Sequence, residues 1–249
     1  MEDLSQLWKG YRLQGTNGKT VFLINGYTGT PAELYTVASY LNQDGYSIIA
    51  PQIAGHTTSK EDLKKTTYKD WLASIEASYL KARKENPILY VLGLSMGGAM
   101  ALIIDEDLEE KPDALILYEP CLTIRNKASY VSFLFKDIVP VVNFSKTDLP
   151  DGNEKYLQND QGFYTSKLKD LVMISNKARK NLDKVTAPFL CFFSLNDSMI
   201  TSRGIKELIV KAKSPNKNLH VLSGNEHMIQ IGYKEQEVLK ATKDYLNCL

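Results

Sequence analysis

Cysteine is scarce in this chain, and histidine equally so, with three of each. Cys121, Cys191 and Cys248 lie far apart and are odd in number. They form neither a disulfide framework nor a metal-ligand spacing. No stretch of about 18 consecutive apolar residues occurs, so no membrane-spanning helix is expected. The opening MEDLSQLWKGYRLQG begins with the acidic Glu2-Asp3 and lacks the apolar segment of a secretory leader. The expected setting is therefore a reducing, cytoplasmic one. Neither sign of charge dominates, with 30 Lys plus Arg against 29 Asp plus Glu. That argues against nucleic acid or an anionic membrane as the main partner. KEDLKK at 60–65 mixes both signs and reads as a solvated face. Nucleotide fingerprints are missing too. There is no G-x-G-x-x-G, so no nicotinamide cofactor is expected. Gly18-Lys19-Thr20 echoes the end of a P-loop, but Leu13 stands where the first glycine belongs, and a strand follows the motif where it should precede it. No cofactor and no metal is expected.

What is present is an ordinary globular composition, 43% hydrophobic and 24% charged over 249 residues. It suits one large domain, or one domain with an insertion. TVFLI (20–24), YSIIA (46–50), ILYVLG (88–93), ALILY (114–118) and PFLCFFS (188–194) are short apolar runs rich in β-branched and aromatic residues. Such runs are strands buried on both faces of a parallel sheet. NLHVLS (218–223) alternates more and reads as the last strand, and RLQ before Asn17-Gly18 reads as an antiparallel hairpin strand. Between the runs, 31–43 carries Leu34, Val37, Ala38 and Leu41 at helical spacing, with Thr30 as N-cap, Pro31 next and Glu33 completing a capping box. Further helices are expected at 68–84, 96–109, 203–213 and 233–247. Strand–helix alternation of this kind predicts a doubly wound, mostly parallel α/β sheet.

Residues 120–183 break the rhythm, separating two strands by more than a βα unit needs. The stretch contains Tyr130, Phe133, Phe135, Phe144, Tyr156, Phe163 and Tyr164. It reads as an inserted, mainly helical lid, dividing the chain into a core of 1–119 and 184–249 and a lid of 120–183. A long crossover with its own small core is the other reading.

The chemistry centres on VLGLSMGGAM (91–100). ILYVLG runs into Ser95, and MGGAMALII continues as a helix. A strand–turn–helix around G-x-S-x-G is the setting of a nucleophile elbow. Gly93 and Gly97 leave room at the sharp turn, and the Met96 N–H faces a developing oxyanion at the helix start. A serine hydroxyl needs a base. His220 sits inside a strand pattern and His56 follows the second strand. Only His227 occupies a loop after the last strand, in SGNEHMIQ. Asp197, in SLNDSMI after PFLCFFS, can orient that imidazole, with Glu119 after ALILY as the rival carboxylate. The order Ser95, Asp197, His227 is nucleophile, acid, base. In NGYTGTP (25–31) the Tyr27 N–H is the second oxyanion donor, with Asn25 and Gly26 supporting the loop.

These stretches resemble the bacterial carboxylesterase and monoacylglycerol lipase group of α/β-hydrolases. That group has a strand followed by HGFTG, a P…GHG loop, G-L-S-x-G-G, a late Asp and a late His. Here the matching stretches are NGYTGTP, PQIAGHTTS, GLSMGG, SLNDSMI and SGNEHMI. The resemblance implies the α/β-hydrolase fold with Ser95, Asp197 and His227 as triad and Tyr27 and Met96 as oxyanion hole. It makes His56 a histidine other than the base. It departs at Asn25, where the group has His, and at GHTT in place of GHG. The expected activity is hydrolysis of short to medium acyl esters or monoacylglycerols, on a small, lipid-like ester substrate, through an acyl-enzyme. A thioesterase, peptidase or acyltransferase built on the same triad is the alternative, and a non-catalytic ligand-binding member of the fold is a third reading.

Overall fold

The computed structural model describes residues 4–56, 59–134, 141–142, 148–157 and 163–249. Seven strands form one sheet: β1 (Gly10–Leu13), β2 (Thr20–Ile24), β3 (Ser47–Pro51), β4 (Leu89–Leu94), β5 (Ala114–Tyr118), and, after a two-stranded ribbon of β6 (Val141–Val142) and β7 (Phe163–Tyr164), β8 (Phe189–Ser194) and β9 (Lys217–Leu222). Their spatial order is β1-β3-β2-β4-β5-β8-β9. β1 is antiparallel to its neighbour and every other pairing in the sheet is parallel. The helices are α1 (Tyr35–Gln43), α2 (Lys60–Lys65), α3 (Tyr68–Glu85), α4 (Met96–Asp107), α5 (Leu168–Lys180), α6 (Ser202–Lys211) and α7 (Glu235–Asn247).

The continuous apolar runs are explained by helices on both sides. Successive strand residues point to opposite faces. Phe22, Ile24, Val91, Leu115, Leu117 and Phe189 pack with α3, α4 and α5 residues such as Trp71, Ile75, Met100, Ile103 and Ile174. Val21, Leu23, Leu92, Ile116 and Phe192 pack with α1 and α7 residues such as Val37, Leu41, Val238 and Leu246 on the other. Each fully buried Leu, Ile or Phe contributes about 1.5–3 kcal/mol. A sheet covered on both faces therefore carries most of the stability and fixes the loops at its carboxyl rim. The chain winds from β2 outward to β3 and, in the other direction, from β4 to β9. The reversal lies between β2 and β4, where open α/β sheets form a crevice.

Three expectations change, and KEDLKK keeps its solvated face while forming a helix. β1 is antiparallel as expected, but it pairs with β3, Tyr11 opposite Ala50, and not in a hairpin with β2. The Asn17-Gly18 turn is anchored elsewhere, with Asn17 N–H on the Gly45 carbonyl (3.0 Å), and the connection from the edge strand β1 to β2 passes over β3. KEDLKK is a short helix, N-capped by Ser59 through the Asp62 N–H (3.1 Å). Glu61, Lys64 and Lys65 are exposed, while Leu63 is buried in the core. The helix expected at 31–43 opens as a 3-10 turn over Pro31–Leu34, with Thr30 accepting from the Ala32 N–H (3.2 Å), before α1 begins at Tyr35. Finally, α5 lies within the stretch expected as lid, yet it packs on α3 and α4 and adds Leu171, Ile174 and Ala178 to the core. The helical layer resumes at Leu168, not at 184, because the i, i+3, i+7 stripe of α5 covers the sheet. Between β5 and α5 the described residues carry the β6–β7 ribbon and 3-10 turns at Lys127–Leu134, Asn153–Tyr156 and Thr165–Lys167. Phe135 and Phe144 lie outside the described residues.

Candidate active site

Ser95 is the residue that turns β4 into α4. It takes φ 54° and ψ −112°, a region that side-chain-bearing residues seldom occupy. Its backbone is clamped: its N–H donates to the Tyr118 carbonyl (2.8 Å) and its carbonyl accepts from Cys121 (2.9 Å) and Ala99 (3.1 Å). The flanking glycines are sterically required. A Cβ on Gly93 would lie 2.3 Å from the Gly97 oxygen, and one on Gly97 would lie 2.1 Å from the Ile24 oxygen. Met96 is the first residue of α4, so its N–H has no intrahelical acceptor and stands at the positive end of the helix dipole. Among the described residues, no hydrogen bond reaches the Ser95 hydroxyl, which is only partly buried.

The loop after β2 lies beside this turn because Ile24 pairs with Gly93. A Cβ on Gly26 would sit 3.7 Å from the Ser95 Cβ. Asn25 is 1% exposed, and its Nδ2 donates to the Gly26 (3.0 Å) and Gly29 (2.9 Å) carbonyls. One side chain thus bridges the Gly26 and Gly29 carbonyls of the loop. Thr28, at φ 61°, donates its hydroxyl to the Tyr27 carbonyl (2.6 Å). The Tyr27 ring meets Trp71 and His56, with ring centroids at 5.9 and 6.4 Å. Beneath the loop lies Glu33, whose Oε1 would be 2.0 Å from a Cβ on Gly29. Burial pushes its carboxyl up to about 8, against the lowering effect of the Gly26 and Thr30 N–H groups.

Asp197 and His227 come from the loops after β8 and β9. The two loops are joined by Ser194 Oγ donating to the Asn225 carbonyl (2.5 Å) and by the Gly224 N–H donating to Asn196 Oδ1 (2.8 Å). His227 Nδ1 lies 2.6 Å from Asp197 Oδ2, with side-chain exposures of 12% and 0%. The other Asp197 oxygen accepts from the Met199 (2.6 Å) and Ile200 (2.8 Å) N–H groups. Burial alone would raise this carboxyl. The His227 hydrogen bond and charge, with the two N–H groups, outweigh that and hold it below the ordinary carboxylate range. Arg125 Nη2 donates to the Asp197 backbone carbonyl (2.8 Å), and Thr123 Oγ1 pairs with Thr201 Oγ1 (2.7 Å), tying the start of the insertion to this loop.

The other two histidines are accounted for elsewhere. His56 is buried against Trp71, with Nδ1 on the Ala54 carbonyl (3.2 Å), and burial lowers it to about 4, so it stays neutral. His220 lies on the sheet-edge strand β9, with Nε2 2.9 Å from Glu237. Ser95, Tyr27 and Met96 therefore meet at the β2/β4 crevice, and Asp197 pairs with His227 on the same carboxyl rim.

Two carboxyls outside the expected site residues are buried beside it, Glu33 under the loop after β2 and Glu119 at the end of β5. The sequence marks Glu33 as a capping residue and Glu119 as the rival acid; neither pattern reveals burial. Among the described residues, no group of three or more His, Cys, Asp or Glu side chains is arranged to hold a metal ion, and no helix is long and apolar enough to cross a membrane.

A family model described as serine aminopeptidase, S33, matches residues 15–232. The chain is 25% identical over 226 residues to a thermostable monoacylglycerol lipase of Bacillus sp. (strain H-257), covering 90% of this chain and 89% of that one. It is 23% identical over 235 residues to a carboxylesterase of Bacillus subtilis (strain 168), covering 93% of each. Among solved structures, it superposes with a TM-score of 0.88 on one reported for LipS and LipT, two metagenome-derived lipolytic enzymes, at 20% identity over 97% of this chain and 98% of that one. The soluble variant of the Saccharomyces cerevisiae monoglyceride lipase gives 0.78 at 17% identity over 95% and 90%. These likenesses confirm the fold expected from sequence.

Proposed function

The chain belongs to the serine aminopeptidase S33 family of α/β-hydrolases, and from that premise we propose that it is a serine hydrolase of carboxylic esters. Ser95 attacks the acyl carbonyl as His227 takes its proton. Asp197 holds the imidazole in the right tautomer and stabilises the imidazolium. The tetrahedral oxyanion is received by the Tyr27 and Met96 N–H groups. The alcohol leaves with the proton from His227, and water then cleaves the acyl-enzyme by the same steps in reverse.

The observation that carries this reading is the 2.6 Å His227–Asp197 pair on the rim where Ser95 is held in a strained turn. Catalytic hydrogen bonds in empty sites are often long and close only with substrate. The substrate is a short to medium acyl ester or a monoacylglycerol, as the names of the two Bacillus relatives suggest. The segment between β5 and α5 acts as the lid, anchored at its start by Arg125 and Thr123. Its apolar contribution includes Val131 and Leu134, which are exposed. The three cysteines are free, as suits a reducing cytoplasm.

The family description favours a second reading, peptide-bond cleavage by the same residues. One experiment tests both: a fluorophosphonate label, with p-nitrophenyl esters of rising chain length, monoacylglycerols, thioesters and amino-acid anilides as substrates. Ester turnover with labelling lost in Ser95→Ala is the expected result. Faster anilide turnover supports the peptidase, and no labelling of the wild type refutes both.

A further inference from the structure

Glu119 has no part in the mechanism above, yet the fold places it at the centre of the site. It follows β5 directly, is 0% exposed, and takes φ 47°, one of only three positive-φ residues other than glycine among those described. The other two are Ser95 and the oxyanion-loop residue Thr28. Backbone strain of this kind persists where the surroundings over-determine a conformation, and it concentrates at functional sites.

Its side chain is committed on one oxygen. Oε1 accepts from the Ser194 N–H at 2.5 Å. Oε2 is buried and, among the described residues, accepts no hydrogen bond from an N–H or O–H donor. The carboxyl of Asp197 is a hydrogen-bonding neighbour of this side chain. Two carboxylates cannot share a dry contact, and an oxygen that finds only another acceptor is satisfied by carrying the proton itself. Asp197 cannot be the protonated partner. Its Oδ1 already accepts from two N–H groups and its Oδ2 pairs with His227.

We infer that Glu119 is a neutral carboxylic acid whose O–H donates to Asp197, and that it is a positioning residue for the acid that orients His227. The inference rests on the triad reading given above. No bond is made or broken: the proton resides on Glu119, and Asp197 remains the anion. The environment agrees. Burial, then the neighbouring Asp197 charge, pushes Glu119 up to about 10. The groups facing the pair are the Cys121 and Cys191 thiols, both raised by burial and so neutral, and His227 beyond Asp197. Arg125 reaches only the Asp197 backbone carbonyl. Among the described residues, no Lys or Arg acts on the Glu119 carboxyl.

The test compares Glu119→Gln with Glu119→Ala in the full chain. Glutamine keeps an acceptor for Ser194 and supplies an N–H donor to Asp197, so kcat stays within about threefold of wild type. Alanine removes the donor, and kcat falls roughly tenfold or more, the rate equivalent of one hydrogen bond to a charged group. In Glu119→Ala an undamped Asp197 also moves the acidic limb of the kcat/KM profile to higher pH. A general loss of packing would not move that limb. Independently of activity, the infrared difference between wild type and Glu119→Gln at pH 7 contains the C=O stretch of a protonated carboxylic acid. If Glu119→Ala does not fold, the Gln variant and the spectrum decide. A Gln variant as impaired as loss of the donor predicts, an unaltered Ala variant, or a missing carboxylic-acid band overturns the inference. Wild-type labelling by the fluorophosphonate is the separate test of the triad, so failure of one leaves the other readable.

Discussion

Asn25 offers a quantitative test of the oxyanion loop. Asn25→Ala removes the two Nδ2 hydrogen bonds to the Gly26 and Gly29 carbonyls, at 3.0 and 2.9 Å, in a site that water does not reach. Each neutral hydrogen bond contributes about 0.5–1.5 kcal/mol net, and each stranded buried carbonyl costs about 1–3 kcal/mol. The loop can relax to recover part of that, but only by moving the Tyr27 N–H. Loss of one oxyanion donor costs about 2.7–4 kcal/mol of transition-state stabilisation, on the order of 10²–10³ in kcat. Because the oxyanion exists only after attack, the loss falls on kcat and leaves KM nearly unchanged. Asn25→Asp sharpens the test. It is nearly isosteric but has no donor, and it sets a carboxylate against two carbonyl oxygens, so it is at least as impaired as alanine. The assay is steady-state hydrolysis of a p-nitrophenyl ester, with thermal unfolding run in parallel. Retention of kcat within threefold by folded Asn25→Ala and Asn25→Asp would refute the claim that this side chain aims the loop.

Asp197→Asn leaves the shape intact but favours the wrong imidazole tautomer, and kcat falls by about 10⁴ in the ester assay. Gly97→Ala drives a methyl to 2.1 Å from the Ile24 oxygen, so the variant shows a lower Tm or is recovered insoluble, and a wild-type Tm contradicts the steric account. Glu106, buried on α4 with neither carboxyl oxygen hydrogen-bonded, is pushed up to about 9 by burial, then by Asp107. The folded state binds a proton there that the unfolded chain releases above its ordinary value near 4.5, so this group's contribution to stability declines as pH rises from about 4.5 to about 9. Glu106→Gln removes that decline, and its Tm advantage over wild type, followed by calorimetry from pH 5 to 9, grows with pH. Thiol titration of the native protein modifies Cys248 alone, because Cys121 and Cys191 are buried and their thiols raised; unfolding exposes all three.

How much was legible in advance depends on how local the signal is. The strands and their parallel arrangement followed from apolar runs buried on both faces, and the elbow followed from glycines whose steric need lies within a few residues. Asp197 and His227 were found because strand ends in a parallel sheet share a rim, so position along the chain translates into position in space. The readings that changed depended on distant partners. β1 and β2 are consecutive in the chain but β3 comes to lie between them, which Asn17-Gly18 does not reveal. The stripe of α5 is visible at Leu171, Ile174 and Ala178, but the run of aromatic residues that precedes it draws it into the same long interval between strands. Glu119 is the limiting case. An acidic residue after a strand looks like any loop carboxylate, and its role comes from Ser194 and Asp197, more than 70 residues further along.

The placement of strain explains why these distant contributions act together. Thr28, Ser95 and Glu119 each occupy a conformation that costs of order 1–3 kcal/mol. A single buried Leu or Phe in the adjoining strands offsets a cost of that size. Ser95 and Glu119 are also coupled through the backbone. The Ser95 N–H is held by Tyr118, the residue before Glu119, and the Ser95 carbonyl by Cys121, two residues after it. The turn that presents the nucleophile and the turn that carries the buried acid therefore brace each other. Glu119 reaches from there to Ser194, and the loop that follows Ser194 carries Asp197, which holds His227. Relaxing Glu119 to an ordinary loop conformation would shift the supports of Ser95 and Asp197 at once, so the strain at 119 is maintained by the same contacts that hold the Ser95 turn and the Ser194–Asp197 loop.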